Sequence, residues 1–372
     1  MKVVHVIEPF AAGVAVFVKS LAETMSDDLH IIVHGERKDV MPALEVKKLF
    51  PRENVRFVKW KSANRSINPI KDLMALRELY TILRRLKKKN LADVIHLHSS
   101  KSGFLGRLAC KMAGIRNVVY TPNGAPFLGK NYLITALYKQ LERLGNLLGG
   151  KVVCCSESEL AAYKKIGISA TYINNGVSIT DKTVVPLVKK NNKFRIVTSG
   201  RVVSQKNPAL FNSIASYFEG LEQFEFIWIG DGDDKNLLTS SNITVTGWRN
   251  ENEASQLIES CDVYLSTSQY EGLSFAVLRA LSHGKAVLLS NCVGNTDVVK
   301  PGINGDLFDN KDEAISKILK YNNNAAMLMV MGDSSRRICE QKFDMYYNLK
   351  GYRNLYMHGI AGFEYKSQLV IA

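Results

Sequence analysis

The sequence predicts an α/β protein built from two doubly wound domains, and three observations lead there. Short β-rich runs alternate with helical stretches of ten or more residues, the pattern of parallel strands joined by crossover helices. The alternation stops at a polar break, Lys189-Lys190-Asn191-Asn192-Lys193, and starts again beyond it. The 372 residues also exceed what one hydrophobic core usually serves, which favours two domains of roughly 150–200 residues each.

In the first half, runs 3–7, 31–33, 55–58, 94–98, 118–121 and 151–155 read as strands. Helical patterns span 14–25, 72–89 and 104–113, and another ends near Gly149-Gly150. In the second half, strands are expected at 195–199, 224–229, 243–245, 263–266 and 286–290, with helices at 208–218, 251–259 and 275–282. The expected domains are 1–180 and 193–342, joined near 180–192, with strand carboxyl ends facing a shared central cleft, where such sheets bind ligands. The aromatic run Phe343, Tyr346, Tyr347, Tyr352, Tyr356 reads as a helical stripe. Its first reading is ordinary core packing; the alternative is a helix 343–372 that packs back on the first domain and ties the two together.

Composition narrows the class. Hydrophobic residues make up 46% and charged residues 23%, which excludes disordered, collagen-like and coiled-coil chains. His5 and Glu8 interrupt the opening apolar run, so it reads as neither a signal peptide nor a membrane span. A cytoplasmic chain is expected. The six cysteines, Cys110, Cys154, Cys155, Cys261, Cys292 and Cys339, form no C-x-x-C pair and read as reduced buried thiols.

Charge is unevenly divided. Residues 1–190 carry 31 Lys and Arg against 15 Asp and Glu, a net of +16, whereas residues 191–372 carry 18 against 20, a net of −2. Such asymmetry points to an anionic partner for the first half: a membrane surface, a phosphate-bearing substrate or nucleic acid. No aromatic-rich basic motif or nucleic-acid module accompanies it, and nucleic acid is the weakest of the three.

Two stretches carry chemistry. Gly200-Arg201 closes a predicted strand, and Gln205-Lys206-Asn207-Pro208 opens a helix. A guanidinium and an ammonium near a helix N-terminus suit a diphosphate. The second stretch is Gln269-Tyr270-Glu271-Gly272-Leu273-Ser274-Phe275. There Glu271 follows a strand, Gly272 permits close backbone approach, and Ser274 can cap the next helix. A carboxylate beside free helix amides fits a ligand bearing both hydroxyls and phosphates.

Taken in order, these stretches resemble a retaining glycosyltransferase of the GT-B fold, family 4 (glycosyltransferase group 1). Gly230-Asp231-Gly232, Thr246-Gly247-Trp248, Ala280-Leu281-Ser282-His283-Gly284-Lys285-Ala286-Val287 and Pro301-Gly302-Ile303-Asn304-Gly305 extend the resemblance, as does Asn174-Asn175-Gly176-Val177. The ordered motifs cover about residues 174–308, and the first half agrees through Gly13 and His96-Leu97-His98-Ser99. The resemblance implies two Rossmann-like domains and a nucleotide-sugar bound mainly by the second. Arg201 and Lys206 match the family's diphosphate-binding pair, and Glu271 matches the acidic residue facing the donor sugar. Gly13 falls in the loop that approaches the donor phosphates. Trp248 and Arg249 fall where the nucleobase packs, and Gly272, Leu273 and Ser274 complete the donor loop. Two departures stand out. Arg279 occupies the place of the family's second Glu, which holds the ribose, and Asn123 in Thr121-Pro122-Asn123-Gly124 occupies the place of a His.

Glycosyl transfer passes through oxocarbenium-like charge as a diphosphate leaves, and the protein must stabilise both. Arg201, Lys206 and helix amides offset the leaving charge without a metal or other cofactor. Asp231-Gly232-Asp233-Asp234 reads as a turn rather than a metal cluster, and His96 and His98 show no third ligand. His98 and Asn123 are candidate contacts to acceptor or sugar. The basic helix 77–89 (Arg77, Arg84, Arg85, Lys87, Lys88, Lys89) runs beside Leu73, Leu76, Leu79, Leu83 and Leu86. It reads either as a solvated face or as a dock on an anionic inner membrane leaflet. The expected partners are a nucleotide-sugar donor, UDP-linked first, and a saccharide acceptor on a lipid diphosphate in bacterial capsule or O-antigen synthesis. The alternatives are a GT-B nucleotide-sugar 2-epimerase and a basic nucleic-acid-binding protein.

Overall fold

The computed structural model describes residues 1–36, 42–64, 67–129, 131–179 and 193–358. The expected linker 180–192 and the end of the expected tail helix, 359–372, lie outside the described residues. The chain divides into two compact units, one formed by Met1–Asn175 with the segment from Tyr346, the other by Gly176–Met345.

The first unit runs β1 (Lys2–Ile7), α1 (Ala12–Thr24), β2 (Leu29–His34), α2 (Ala43–Lys48), β3 (Val55–Lys59), α3 (Pro69–Lys88), β4 (Val94–His98), α4 (Ser100–Met112), β5 (Val118–Thr121), α5 (Tyr132–Leu147), β6 (Lys151–Cys154), α6 (Glu157–Lys165) and β7 (Ala170–Tyr172). Its seven strands lie in the order β3-β2-β1-β4-β5-β6-β7, each pair parallel. Every residue of β4 and β5 is buried, as expected for strands covered by helices on both faces. Helix starts follow local chemistry. Asn68 caps α3 with Pro69 at its first position, and Ser156 caps α6, so orphan amides are met by side-chain oxygens. One core face joins Leu79 and Leu83 of α3 to Leu97, Leu105, Tyr120 and Tyr163.

The second unit runs β8 (Phe194–Ser199), α7 (Pro208–Tyr217), β9 (Phe224–Ile229), β10 (Ile243–Val245), α8 (Glu251–Glu259), β11 (Val263–Ser266), α9 (Phe275–Ser282), β12 (Ala286–Ser290), β13 (Gly305–Phe308), α10 (Lys311–Asn322) and α11 (Ala325–Lys342). Its parallel sheet has the order β10-β9-β8-β11-β12-β13. Phe211, Phe218, Phe226 and Trp228 fill the core between α7 and the sheet. In each unit the strand order reverses beside the first strand, between β1 and β4 and between β8 and β11. Open α/β sheets bind ligands at the carboxyl ends of such a switch point.

The observed elements differ from the expected ones in several places. Elements α2, α6, β7, β13, α10 and α11 were not foreseen, and α1 begins at Ala12 rather than Val14. Gly13 therefore stands in the first turn of α1, not in the loop before it. The aromatic stripe is not one face. Phe343 is buried in the second unit, whereas α12 (Met345–Met357) continues into the first, burying Tyr352 and Tyr356 and exposing Tyr346 and Tyr347. The cysteines are free, with Cys292 half-buried and the others buried.

Candidate active site

In the second unit, the loops leaving β8, β11 and β12 are tied into one assembly. After Gly200-Arg201 the chain makes a 3-10 turn, Ser204–Lys206. Asn207 follows with φ 53° and caps α7 by accepting from the Leu210 amide at 3.3 Å, a left-handed position that Asn tolerates. The Gln269 amide donates to the Gln205 carbonyl (2.8 Å), and the Gln205 side chain donates to the Tyr270 carbonyl (3.0 Å). Thr267 donates to the Lys206 carbonyl at 2.8 Å. Ser290, at the end of β12, donates to the Ser268 carbonyl at 2.5 Å. Gly294 has φ +87°, and a Cβ there would meet the Glu271 Cβ at 2.7 Å, so only glycine lets this third loop close on Glu271.

These ties bring Lys206 Nζ to 2.5 Å from Glu271 Oε1, and Ser268 donates to the same oxygen at 2.6 Å. Glu271 is buried. Burial alone would lower the Lys206 ammonium, but the Glu271 carboxylate outweighs it and holds Lys206 above the usual lysine range. Arg201 is half-buried on the adjacent turn. The result is a buried ion pair at a switch point, with a second cation, Arg201, on the adjacent turn.

The other expected donor residues are placed as follows. Gly272 and Leu273 are buried behind Glu271. Ser274 takes the N-cap position of α9, but its side chain makes no capping hydrogen bond, which corrects the expected cap. Trp248 is 44% exposed and Arg249 is exposed, both between β10 and the capping box of Asn250 and Glu253 on α8. Arg279 donates to Glu251 at 2.7 Å, so a carboxylate from α8 stands beside the position where the family's second Glu is replaced. Nothing in the sequence pointed to Glu251, which lies 28 residues away. Asp231 accepts from the Gly232 amide and pairs with Lys235.

In the first unit, α1 opens at Ala12 with no side-chain cap and no acid in its first turn. Asn123, at φ 58°, donates to the Thr121 carbonyl (3.1 Å) and accepts from the Cys155 thiol (3.3 Å). Beneath this loop lies a residue the sequence reading missed. Buried Glu159 accepts from the amides of Gly124 (2.8 Å) and Cys155 (2.7 Å), clamping the turns after β5 and β6. Burial pushes its carboxyl up to about 7 against the pull of those amides.

His98 is fully buried at the end of β4, in a row of imidazoles. His30 Nε2 lies 3.3 Å from the Met25 carbonyl, His5 Nε2 lies 3.0 Å from His30 Nδ1, and His98 Nε2 lies 3.1 Å from His5 Nδ1. A carbonyl only accepts, so for neutral rings each Nε2 must carry the proton and donate along the row. Burial lowers His5, His30 and His98 alike, which keeps them neutral. His96 sits between the hydroxyls of Tyr356 (2.5 Å) and Thr121 (2.7 Å). The third imidazole absent from the sequence reading is therefore His5, whose ligand atom lies within 4.8 Å of those of His96 and His98. Its two ring nitrogens are already engaged by His98 and His30, and an ion held there would break these bonds.

Comparison with known proteins decides the family. Residues 11–181 match the family model described as Glycosyltransferase Family 4, and residues 180–337 match Glycosyl transferases group 1. The chain belongs to the group 1 glycosyltransferases. An Escherichia coli relative, UDP-Gal:alpha-D-GlcNAc-diphosphoundecaprenol alpha-1,3-galactosyltransferase, is 29% identical over 79% of this chain and 81% of its own length. A Campylobacter jejuni relative, N,N'-diacetylbacillosaminyl-diphospho-undecaprenol alpha-1,3-N-acetylgalactosaminyltransferase, is 22% identical over 73% of this chain and 78% of its own. Among solved structures, sucrose-phosphate synthase from Thermosynechococcus elongatus superposes with a TM-score of 0.79 at 14% identity, covering 96% of this glycosyltransferase and 99% of that chain. Anabaena HepE in complex with UDP-glucose gives 0.75 at 16%, covering 95% and 98%. At these identities the likeness is one of fold, and the fold of this glycosyltransferase is GT-B, with two Rossmann-like domains.

Proposed function

We propose that this glycosyltransferase moves a sugar from a nucleotide-sugar, a UDP-sugar first, to a saccharide carried on a lipid diphosphate in bacterial surface polysaccharide synthesis. The observation that carries the reading is the Lys206–Glu271 pair at the β8/β11 switch point. Arg201 and Lys206 would draw charge from the departing diphosphate, and Glu271 would orient a sugar hydroxyl and favour the cationic character of the ring. With these cations in place, transfer would proceed without a metal. Retention would follow from departure and attack on the same face, the diphosphate assisting removal of the acceptor proton. Trp248 and Arg249 would flank the nucleobase, with Gly13 toward the phosphates. Asn123 would accept from or donate to an acceptor hydroxyl, whereas His98, fully buried and bonded to His5, would not itself touch the acceptor, which corrects the expected contact.

The names of the E. coli and C. jejuni relatives, each specifying an undecaprenol diphosphate acceptor, support the lipid-linked acceptor. The division of labour would give 193–342 the donor and 1–180 the acceptor, in keeping with the excess of cations in residues 1–190. Among the described residues no helix is long and apolar enough to cross a membrane. The enzyme would then work as a peripheral protein on the inner face of the membrane, drawn by the exposed cations Arg77, Arg84, Arg85, Lys88 and Lys89. The test is a thermal-shift screen of nucleotide-sugars, followed by transfer to a synthetic polyprenyl-diphosphate saccharide with the anomeric product read by NMR. Stabilisation by a UDP-sugar and an axial product are expected. An inverted product, or no transfer with any stabilising donor, would overturn the reading.

A further inference from the structure

Helix α5 carries an apolar face that the other described residues do not cover. Leu133, Leu137, Leu144 and Leu147 recur at helical spacing along one stripe, and all are exposed, Leu133 at 78% and Leu147 at 74%. Tyr132, 82% exposed, and Ile134 widen the stripe at its start. Helix α4 packs against α5 on one side and α3 on the other, so the three form one layer. Because each is a crossover between parallel strands, their N-termini share the carboxyl edge of the sheet. There α3 and the residue preceding its cap add Ile67, Ile70, Leu73 and Met74, with Ile70 at 76%. Exposed apolar side chains gathered in this way on one helix face mark interaction sites.

The charge of this layer says what covers it. Helices α3, α4 and α5 contain eleven Lys and Arg but only Asp72, Glu78 and Glu142 as acids. Each acid is spent within the unit. Asp72 pairs with Lys101 at 2.7 Å, Glu78 accepts from the Lys61 and Ser62 amides, and Glu142 is buried with Arg107 and Tyr120. Lys71, Arg77, Arg84, Arg85, Lys88, Lys111 and Arg143 remain exposed. A second copy would bring the same cations face to face across a two-fold axis and repel. A nucleic acid would meet the cations but leave the leucines in water. An anionic bilayer satisfies both, apolar side chains entering the headgroup boundary while cations stay with the phosphates.

We propose that the α5 stripe, with the apolar start of α3, inserts into an anionic lipid surface, and that the cations of the α3–α4–α5 layer hold it there. This deepens the proposed function, resting on its lipid-linked acceptor, and assigns insertion to α5 where the sequence pointed only to the basic helix α3. The test compares the full chain with Leu133→Gln/Leu137→Gln/Leu144→Gln/Leu147→Gln on vesicles of phosphatidylcholine with and without phosphatidylglycerol. The parent should sediment with the anionic vesicles and retain part of that binding at high salt. The quadruple variant should bind at least tenfold more weakly and lose all salt-resistant binding. A second reading is independent of that variant's folding. Leu133→Cys labelled with a solvent-sensitive fluorophore should shift to the blue on anionic vesicles, with the labelled parent as the control for native cysteines. Equal sedimentation of parent and variant, or no spectral shift, would overturn the proposal. So would a parent dimer in light scattering that the variant dissolves, because the face would then be a contact between copies. Turnover of donor with a water-soluble acceptor keeps the two readings apart. If the parent binds vesicles as described but transfers no sugar, the proposed function fails and the docking face stands.

Discussion

Lys206 offers a prediction in which stability and turnover respond to different changes. Lys206→Ala removes the ammonium from Glu271 and leaves that carboxylate with Ser268 as its side-chain donor at 2.6 Å. Removing one partner of a fully buried pair costs about 3–5 kcal/mol. The Lys206 side chain is 20% exposed and that of Glu271 8%, so water reaches one end of the pair and the expected loss falls to about 2–3 kcal/mol. In urea unfolding that loss appears as a lower midpoint with an unchanged slope. Adding Glu271→Gln to Lys206→Ala removes the stranded charge and should restore much of the stability, a positive coupling between neighbours. Turnover should not follow. If Lys206 and Arg201 meet the leaving diphosphate, Lys206→Ala and Arg201→Ala each lower transfer at least about a hundredfold, near 2.7 kcal/mol of transition-state stabilisation. The double variant stays as slow or slower. Near-normal turnover in both single variants would refute the diphosphate role. Stability losses that simply add in the double variant would refute the buried pair.

EDTA should leave transfer largely intact, and its abolition with rescue by Mg²⁺ or Mn²⁺ would return attention to Asp231, Asp233 and Asp234. Trp248→Ala should raise the donor KM roughly two- to twelvefold, the range of one aromatic stack, with kcat less changed; an unchanged KM would remove Trp248 from the base site. Stability should fall on acidification from pH 7 to pH 5, as read by denaturant titration. Burial lowers His34 to about 4, so protons bind the unfolded chain preferentially below its ordinary value near 6.5 and about 2 kcal/mol is lost. Glu159, raised to about 7, gains about as much over the same window, because its native form takes the proton first. These two offset, and the lowered His5, His30, His96 and His98 tip the balance toward acid loss. A flat or rising profile toward pH 5 would contradict the buried neutral cluster.

What the sequence made legible was local. Strands 94–98, 118–121, 224–229, 263–266 and 286–290 were read at or within a residue of their ends, because buried parallel strands are uninterrupted apolar runs. Arg201, Lys206 and Glu271 were legible because each follows a strand and precedes a helix, the place where a doubly wound sheet presents side chains. What distance along the chain hid was the company these residues keep. His5 and His30 join His98 across three strands, Tyr356 reaches His96 from the far end of the chain, and Glu159 clamps a loop 35 residues earlier; no window of sequence contains such pairs.

Helices α3 and α5 show a second kind of illegibility. Periodicity finds an apolar face but does not say whether the protein or something else covers it. On α3 the leucines read as one stripe divide, with Leu79, Leu83 and Leu86 buried and Leu73 exposed, so the helix is anchored at its basic end and open at its start. On α5 the helix was foreseen only by its end near Gly149-Gly150, and its apolar stripe was not read at all. The structure buries Glu142 and Gly145 of this helix against Arg107 and turns Leu133, Leu137, Leu144 and Leu147 outward. A polar side inward and an apolar side outward is the reverse of an ordinary surface helix. Here the inward polar group is paired, and only the outward face lacks a covering partner among the described residues. That inversion gives the first unit's cations a physical complement. Charge brings the layer to an anionic surface within a Debye length of about 10 Å at 0.1 M salt, and the leucines decide whether it stays when salt rises.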